Sequence, residues 1–146
     1  MKLLITSDVH GRSDLLHQVI EKHKDVDVHI NAGDMCLAPN VLNKFQVITV
    51  SGNNDYNREL PNERLLEFNG LKIWLTHGHL EHVKLGLERL KQKALKEAVH
   101  VCVFGHTHKQ YLNVHHKIIF INPGSLGDGS KSYALYENGK VSFHTV

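Results

Sequence analysis

Five times along this chain a short apolar run stops at a small polar cluster, and that recurrence narrows the folds open to it. "KLLIT" (2–6) runs into "SDVHGR", "VDVHIN" (26–31) into "AGD", and "FQVITV" (45–50) into "SGNND". "LKIWLT" (71–76) then runs into "HGH", and "VHVCVF" (99–104) into "GHTH". Runs this short and this rich in Val, Ile and Leu read as buried strands, so the polar clusters fall at strand ends. Between the first two runs, Leu15, Leu16, Val19 and Ile20 recur at helical spacing behind Ser13 and Asp14, either of which can cap the helix. Strand, helix and strand in that order predict parallel pairing, with the carboxyl ends of the strands along one edge.

The second half changes character. "RLLEF" and "LKIWLT" flank Asn69-Gly70, a strong hairpin signal. "HVKLGLERLKQKALKEA" predicts a long helix with Val83, Leu87, Leu90 and Ala94 on one face. "QYLNV", "KIIFI" and a hairpin turning at Asn138-Gly139 close the chain as antiparallel strands. The expected architecture is α/β, two facing sheets with helices outside, and the 146 residues fit one domain over 1–146.

No segment approaches the ~20 apolar residues of a membrane span, and "MKLLITSD" lacks the features of a signal peptide, so a cytoplasmic protein is expected. Cys36 and Cys102 lack CxxC spacing and are expected to be reduced and buried. A net charge of +2 offers no broad basic surface, and "LERLKQKALKEA" reads as a solvated helix face. Neither a membrane nor a nucleic-acid partner is expected, which disfavours a nuclease. Homo-oligomerisation stays open.

Thirteen histidines are unusual for this length. His17, His23, His29, His100, His115, His116 and His144 fall on helix- or strand-like stretches and read as surface or hydrogen-bonded residues. The others gather at strand ends. Asp8, His10, Asp34, Asn53, His77, His106 and His108 all follow apolar runs on the carboxyl side, so folding brings them together. Any one such cluster could be a polar turn. Together they supply three oxygen donors and four imidazoles, too many for one ion and suited to two. A carboxylate bridging two ions holds them within ~4 Å, and a water shared between them loses a proton near neutral pH and becomes a nucleophile. A mixed N/O set without thiolate favours Mn, Fe, Zn or Co over copper(I) and calcium; manganese is the ion expected, with Fe, Zn, Ni or Co as alternatives. On an extended "GHTH" segment His106 and His108 would face the same way and Thr107 elsewhere, with Gly105 allowing close backbone approach.

The ordered blocks "DVHG", "GD", "GNND", "THGH" and "GHTH" resemble the calcineurin-like metallophosphoesterases, and the closing "NPGS" is similar to the small YfcE-type phosphodiesterases. The resemblance spans residues 8 to 125. It implies a four-layer α/β/β/α sandwich of two mixed sheets flanked by helices, and a dimetal-dependent phosphodiesterase acting on a small phosphate ester. It further implies that Asp8, His10 and His108 hold the first ion, that Asp34 bridges, and that Asn53, His77 and His106 hold the second. Many relatives carry a histidine where this chain has Asn54, and that histidine protonates the leaving alcohol. Here the role falls vacant, with His79 the nearest substitute and Arg12 a candidate for meeting a phosphate oxygen. The alternative is a protein-interaction scaffold like Vps29, which resembles the same fold and has no need of all seven donors.

Overall fold

The computed structural model describes residues 1–57 and 59–146. In chain order the elements are β1 (Lys2–Thr6), α1 (Ser13–Lys22), β2 (Val28–Asn31), α2 (Pro39–Leu42), β3 (Ile48–Thr49), β4 (Glu63–Phe68), β5 (Leu71–Thr76) and α3 (Glu88–Glu97). They continue with β6 (Val101–Val103), β7 (Gln110–His115), β8 (Ile118–Pro123), β9 (Ser132–Glu137) and β10 (Lys140–Thr145). A first sheet runs β10-β9-β1-β2-β3 and a second β4-β5-β6-β8-β7. Both are mixed. β1, β2 and β3 pair in parallel, as do β5, β6 and β8, while β9, β10, β4 and β7 join antiparallel.

The continuous apolar runs follow from burial on both strand faces. On β1, Leu3 and Ile5 face the second sheet and pack with Ile30, Ile73, Leu75, Val103 and Ile121. Leu4 turns outward beneath α1, against Leu15, Leu16 and Val19. Trp74, Cys102 and Phe120 turn outward from the second sheet beneath Leu90 and Ala94 of α3. The layers are therefore helix, sheet, sheet, helix, as the resemblance implies. Each fully buried large side chain contributes about 1.5–3 kcal/mol relative to exposure.

Both Asn-Gly turns form as read, with Asn69 and Gly70 at φ 50° and 84° and Asn138 and Gly139 at 49° and 88°. Other boundaries move. The helix expected from residue 82 begins at Glu88, because Gly86 at φ 140° cannot be helical and the preceding residues form turns, Val83 N–H donating to Gly78 O (3.2 Å). β3 keeps only two residues of its apolar run. Neither Ser13 nor Asp14 caps α1: Arg12 holds the cap position without a side-chain bond, and both residues lie inside the first turn. Both thiols are free, Cys102 buried but Cys36 only half-buried, since Cys36 lies in the loop after Asp34 rather than on a strand.

Candidate metal centre

β1, β2, β5 and β6 end along one edge, and backbone hydrogen bonds tie the loops beyond them together. Asp8 N–H donates to Gly33 O (2.9 Å), His10 N–H to Asp34 O (3.0 Å) and Gly105 N–H to His77 O (3.0 Å). The first sheet thereby presents Asp8, His10 and Asp34 to the His77, His106 and His108 of the second.

Asp8 is fully buried and its two oxygens are used differently. Oδ2 accepts from Ser7 Oγ (2.6 Å) and His106 N–H (3.1 Å). Oδ1 faces ring nitrogens alone: His77 Nε2 at 3.1 Å, His108 Nε2 at 3.2 Å and His10 Nε2 at 3.5 Å. Asp34, 1% exposed, places Oδ2 3.5 Å from His77 Nε2 and 4.0 Å from His10 Nε2. Two donor groups result, Asp8 with His10 and His108, and Asp8 with Asp34 and His77. Asp8 thus belongs to both groups, while Asp34 lies between the two histidine sides where a bridge was expected.

Other expected residues make contacts of their own. Asn53 and Asn54 are both exposed, and the amide that reaches Asp34 is that of Asn54: its backbone N–H donates to Oδ1 (2.8 Å) and its Nδ2 to Oδ2 (2.9 Å). Asn54 is therefore committed to orienting Asp34 rather than standing free at a leaving group. His106 offers Asp8 its backbone N–H, and its ring stands edge-on to His77 at 4.9 Å, outside both donor groups. Arg12 forks onto Asp14 through Nε and Nη2, both at 3.0 Å, which occupies one edge of its guanidinium.

The "GHTH" segment is not extended. β6 ends at Val103, and His106 and His108 adopt left-handed φ of 71° and 64°, which turns both inward by a tight loop instead of by strand alternation. Thr107 does point away, its Oγ1 accepting from Asn122 Nδ2 (3.0 Å). Gly105 is needed for closeness: a Cβ there would lie 2.0 Å from Ser7 Oγ and 2.7 Å from Asp8 Oδ2. Asp8, His10, Asp34 and Cys36 also sit at φ 50–55°. Such backbone costs on the order of 1 kcal/mol or more per residue and gathers at functional sites.

The electrostatics match a cation site. Burial would raise the Asp8 carboxyl, but hydrogen bonds from His10, His108 and His77 outweigh it and hold Asp8 well below the usual carboxylate range. Asp8 in turn raises His10 and His108. Burial, reinforced by His77, lowers His106 to about 4. Burial and the carboxylates of Asp55, Asp34 and Asp8 push the Cys36 thiol up to about 12, leaving it protonated at neutral pH. Among the described residues no Lys or Arg pairs with Asp8 or Asp34, and His10 Nε2 lies only 3.2 Å from His108 Nε2. Ring nitrogens converging this closely on one carboxylate oxygen are what a shared divalent ion stabilises, and the N/O donors suit a transition metal.

Several supporting residues carried no role in the sequence reading. Asp55 accepts from Asp34 N–H (2.8 Å), Gly52 N–H (2.7 Å) and Cys36 N–H (2.9 Å), stitching two site loops together. Asn122 holds the loop after β6 through Gly105 O (3.1 Å), and Ser125 donates to Asp8 O (2.8 Å). Their signal was adjacency: Asp55 ends "GNND", and "NPGS" begins with Asn122 and ends with Ser125.

A helix–sheet–sheet–helix fold with this carboxylate–imidazole cluster at its strand ends defines a metal-dependent class of protein, and comparison with known families agrees. The chain belongs to the calcineurin-like phosphoesterase superfamily, whose domain matches residues 1–139. It is 34% identical over 127 residues to YsnB of Bacillus subtilis, named a probable metallophosphoesterase, covering 86% of this chain and 75% of that one. It is 29% identical over 145 residues to a Methanocaldococcus jannaschii protein named a phosphodiesterase, covering 85% of this chain and 83% of the relative. A Streptococcus pneumoniae crystal structure described as a predicted phosphoesterase superposes with a TM-score of 0.88 at 29% identity, covering 99% of this chain and 88% of that one. Vps29 shares the fold: the zinc-complexed Entamoeba histolytica protein gives a TM-score of 0.76 at 20% identity, over 100% of this chain and 98% of its own.

Proposed function

We propose that this chain is a phosphodiesterase that works with two divalent transition-metal ions, manganese foremost. The observation that carries the reading is the pair of buried carboxylates, Asp8 and Asp34, faced by imidazoles and by no Lys or Arg among the described residues. Asp8, His10 and His108 would hold one ion; Asp34 and His77, with Asp8 Oδ1 close by, would hold the other, and His106 stands beside it. Bound there, the ions supply positive charge for phosphoryl oxygens and lower the pKa of a water for attack on phosphorus.

The chain's own groups orient and tune this centre. With His77 Nε2 ligating an ion, its Nδ1 would carry the ring proton and donate it to His79 Nδ1 at 3.1 Å. This makes His79 a positioning residue. Burial, with His77 next, lowers its pKa, and a protonated His79 would lose the lone pair that receives His77. With Asn54 also committed, no titratable acid among the described residues is assigned to the alcohol, and esters of acidic alcohols such as phenols are the favoured substrates. The phosphodiesterase name of the archaeal relative supports the diester reading. Two free thiols fit a reducing compartment, and no helix among the described residues is long and apolar enough to cross a membrane. The scaffold reading is disfavoured because a partner surface gives no reason for strained backbone around buried donors.

Elemental analysis with turnover of an aryl phosphodiester tests the proposal. About two ions per chain and manganese-dependent release of the phenol are expected. A metal content near zero after reconstitution contradicts it.

A further inference from the structure

The loop joining β8 to β9 is docked on the end of β1 more tightly than a connection requires. Ser125 Oγ donates to Asp8 O (2.8 Å), Leu126 N–H to Ser7 O (3.0 Å) and Gly127 N–H to Asp8 O (3.0 Å). Leu126 is fully buried, and a Cβ on Gly127 would lie 2.1 Å from Val9 O, so the approach admits only glycine. The next residue is Asp128. Its N–H donates to Ser125 Oγ (3.1 Å) and its carbonyl accepts from Lys131 N–H (3.1 Å), which fixes its backbone relative to Asp8.

The Asp128 side chain is 56% exposed, yet Oδ2 lies 3.9 Å from His10 Nε2. It falls outside the group in which Asp8, His10 and His108 offer ligand atoms within 4.8 Å of one another, so it overlooks the first ion position without joining it. No Lys or Arg among the described residues neutralises it by an ion pair: Arg12, which feels its charge, is forked onto Asp14. The cation whose charge reaches His106, on the other side, is Lys84. At its first-ion edge the mouth therefore carries a negative charge that faces His10 and that no Lys or Arg among the described residues pairs with.

We infer that Asp128 selects substrates by charge, admitting phosphodiester monoanions and penalising phosphomonoester dianions. The inference deepens the phosphodiesterase reading and rests on the ion sites assigned there. The two substrate classes offer the same phosphoryl oxygens, but a monoester adds a second negative charge that Asp128 opposes. At solvent-like dielectric and contact distances of several ångströms, one extra charge pair corresponds to about fivefold in affinity, and salt weakens it.

Calorimetry on the manganese-loaded protein would compare inorganic phosphate, taken above its second ionisation, with dimethyl phosphate. Asp128→Asn is expected to tighten the monoanion about fivefold and the dianion about 25-fold, so that the preference between them shifts about fivefold, while Asp128→Glu keeps the wild-type preference. The aryl monoester-to-diester ratio of kcat/KM should rise in parallel in Asp128→Asn, and higher ionic strength should shrink the difference between variants. Equal changes for both anions, or none, overturn the inference. So does a loss of bound manganese in Asp128→Asn, which would make Asp128 a ligand. Charge discrimination in binding without hydrolysis of either ester would leave Asp128 its role and sink the hydrolase reading instead.

Discussion

At the scale of single residues, the centre is decided by which atom of each side chain is already spoken for. His77 gives one nitrogen to the carboxylates and the other to His79, so His79→Ala should weaken retention of the second ion by about 10- to 100-fold, read from metal titration, with the ion between His10 and His108 less affected. Asp34→Asn should lose more metal than Asn53→Ala, because Asp34 faces histidines of both sides whereas Asn53 is exposed. Asn54→Ala should fall between them through loss of its grip on Asp34, and Asn54→His should cost metal rather than simply restore an acid; Asn54→Ala matching wild type in metal content would contradict that placement. "GNND" made Asn53 the expected ligand because spacing alone cannot tell which of two adjacent amides a turn directs inward. Away from the site, His29 is buried with Nε2 on Thr6 Oγ1 (2.8 Å) and no partner for Nδ1, and burial lowers its pKa to about 3. The folded state thus prefers the neutral ring. Its contribution is fully present above the unfolded value near ~6.5 and is lost as pH falls from there toward about 3. Denaturant unfolding of metal-free protein should show this acid slope, and His29→Leu should flatten it.

At the scale of elements, the sequence was most readable where a local rule sufficed. The runs around Leu3, Ile30, Leu75 and Val103 are strands, and both Asn-Gly turns form, because period, burial and turn chemistry agree. It was least readable where contacts between elements choose the backbone. The left-handed φ of His106 and His108 depends on Asn122 and Asp8, which are distant in sequence, and nothing in "GHTH" itself requires it. The late start of α3 was legible in retrospect at Gly86, but a good apolar stripe from Val83 to Ala94 masked it. The loop after β6 also yields a sharp prediction. Gly105→Ala forces a methyl into Ser7 Oγ and Asp8 Oδ2, and should cost about 1–3 kcal/mol in unfolding free energy together with metal at both positions. Normal metal content in that variant would show that the loop can retreat without moving Asp8.

At the scale of the whole molecule, candidate donors from the two sheets meet across the seam between them, so an ion held there should act as a clamp. Metal at about 100-fold over its dissociation constant adds about 2.7 kcal/mol per independent site, and chelation of two ions should lower Tm by about 10–20 °C in scanning calorimetry. An unchanged Tm would show that the folded protein holds no such ion in preference to the unfolded chain. The strand order carries a consequence in time as well. β1 is finished at Thr6, yet it lies between β2 and β9, and β9 does not begin until Ser132. As the chain leaves the ribosome, the strand that aims Asp8 and His10 keeps one edge unpaired until nearly everything else has been made. The donor group Asp8, His10 and His108 is likewise complete only once residue 108 has been made, so an ion held there would join a largely built molecule rather than template its first turns.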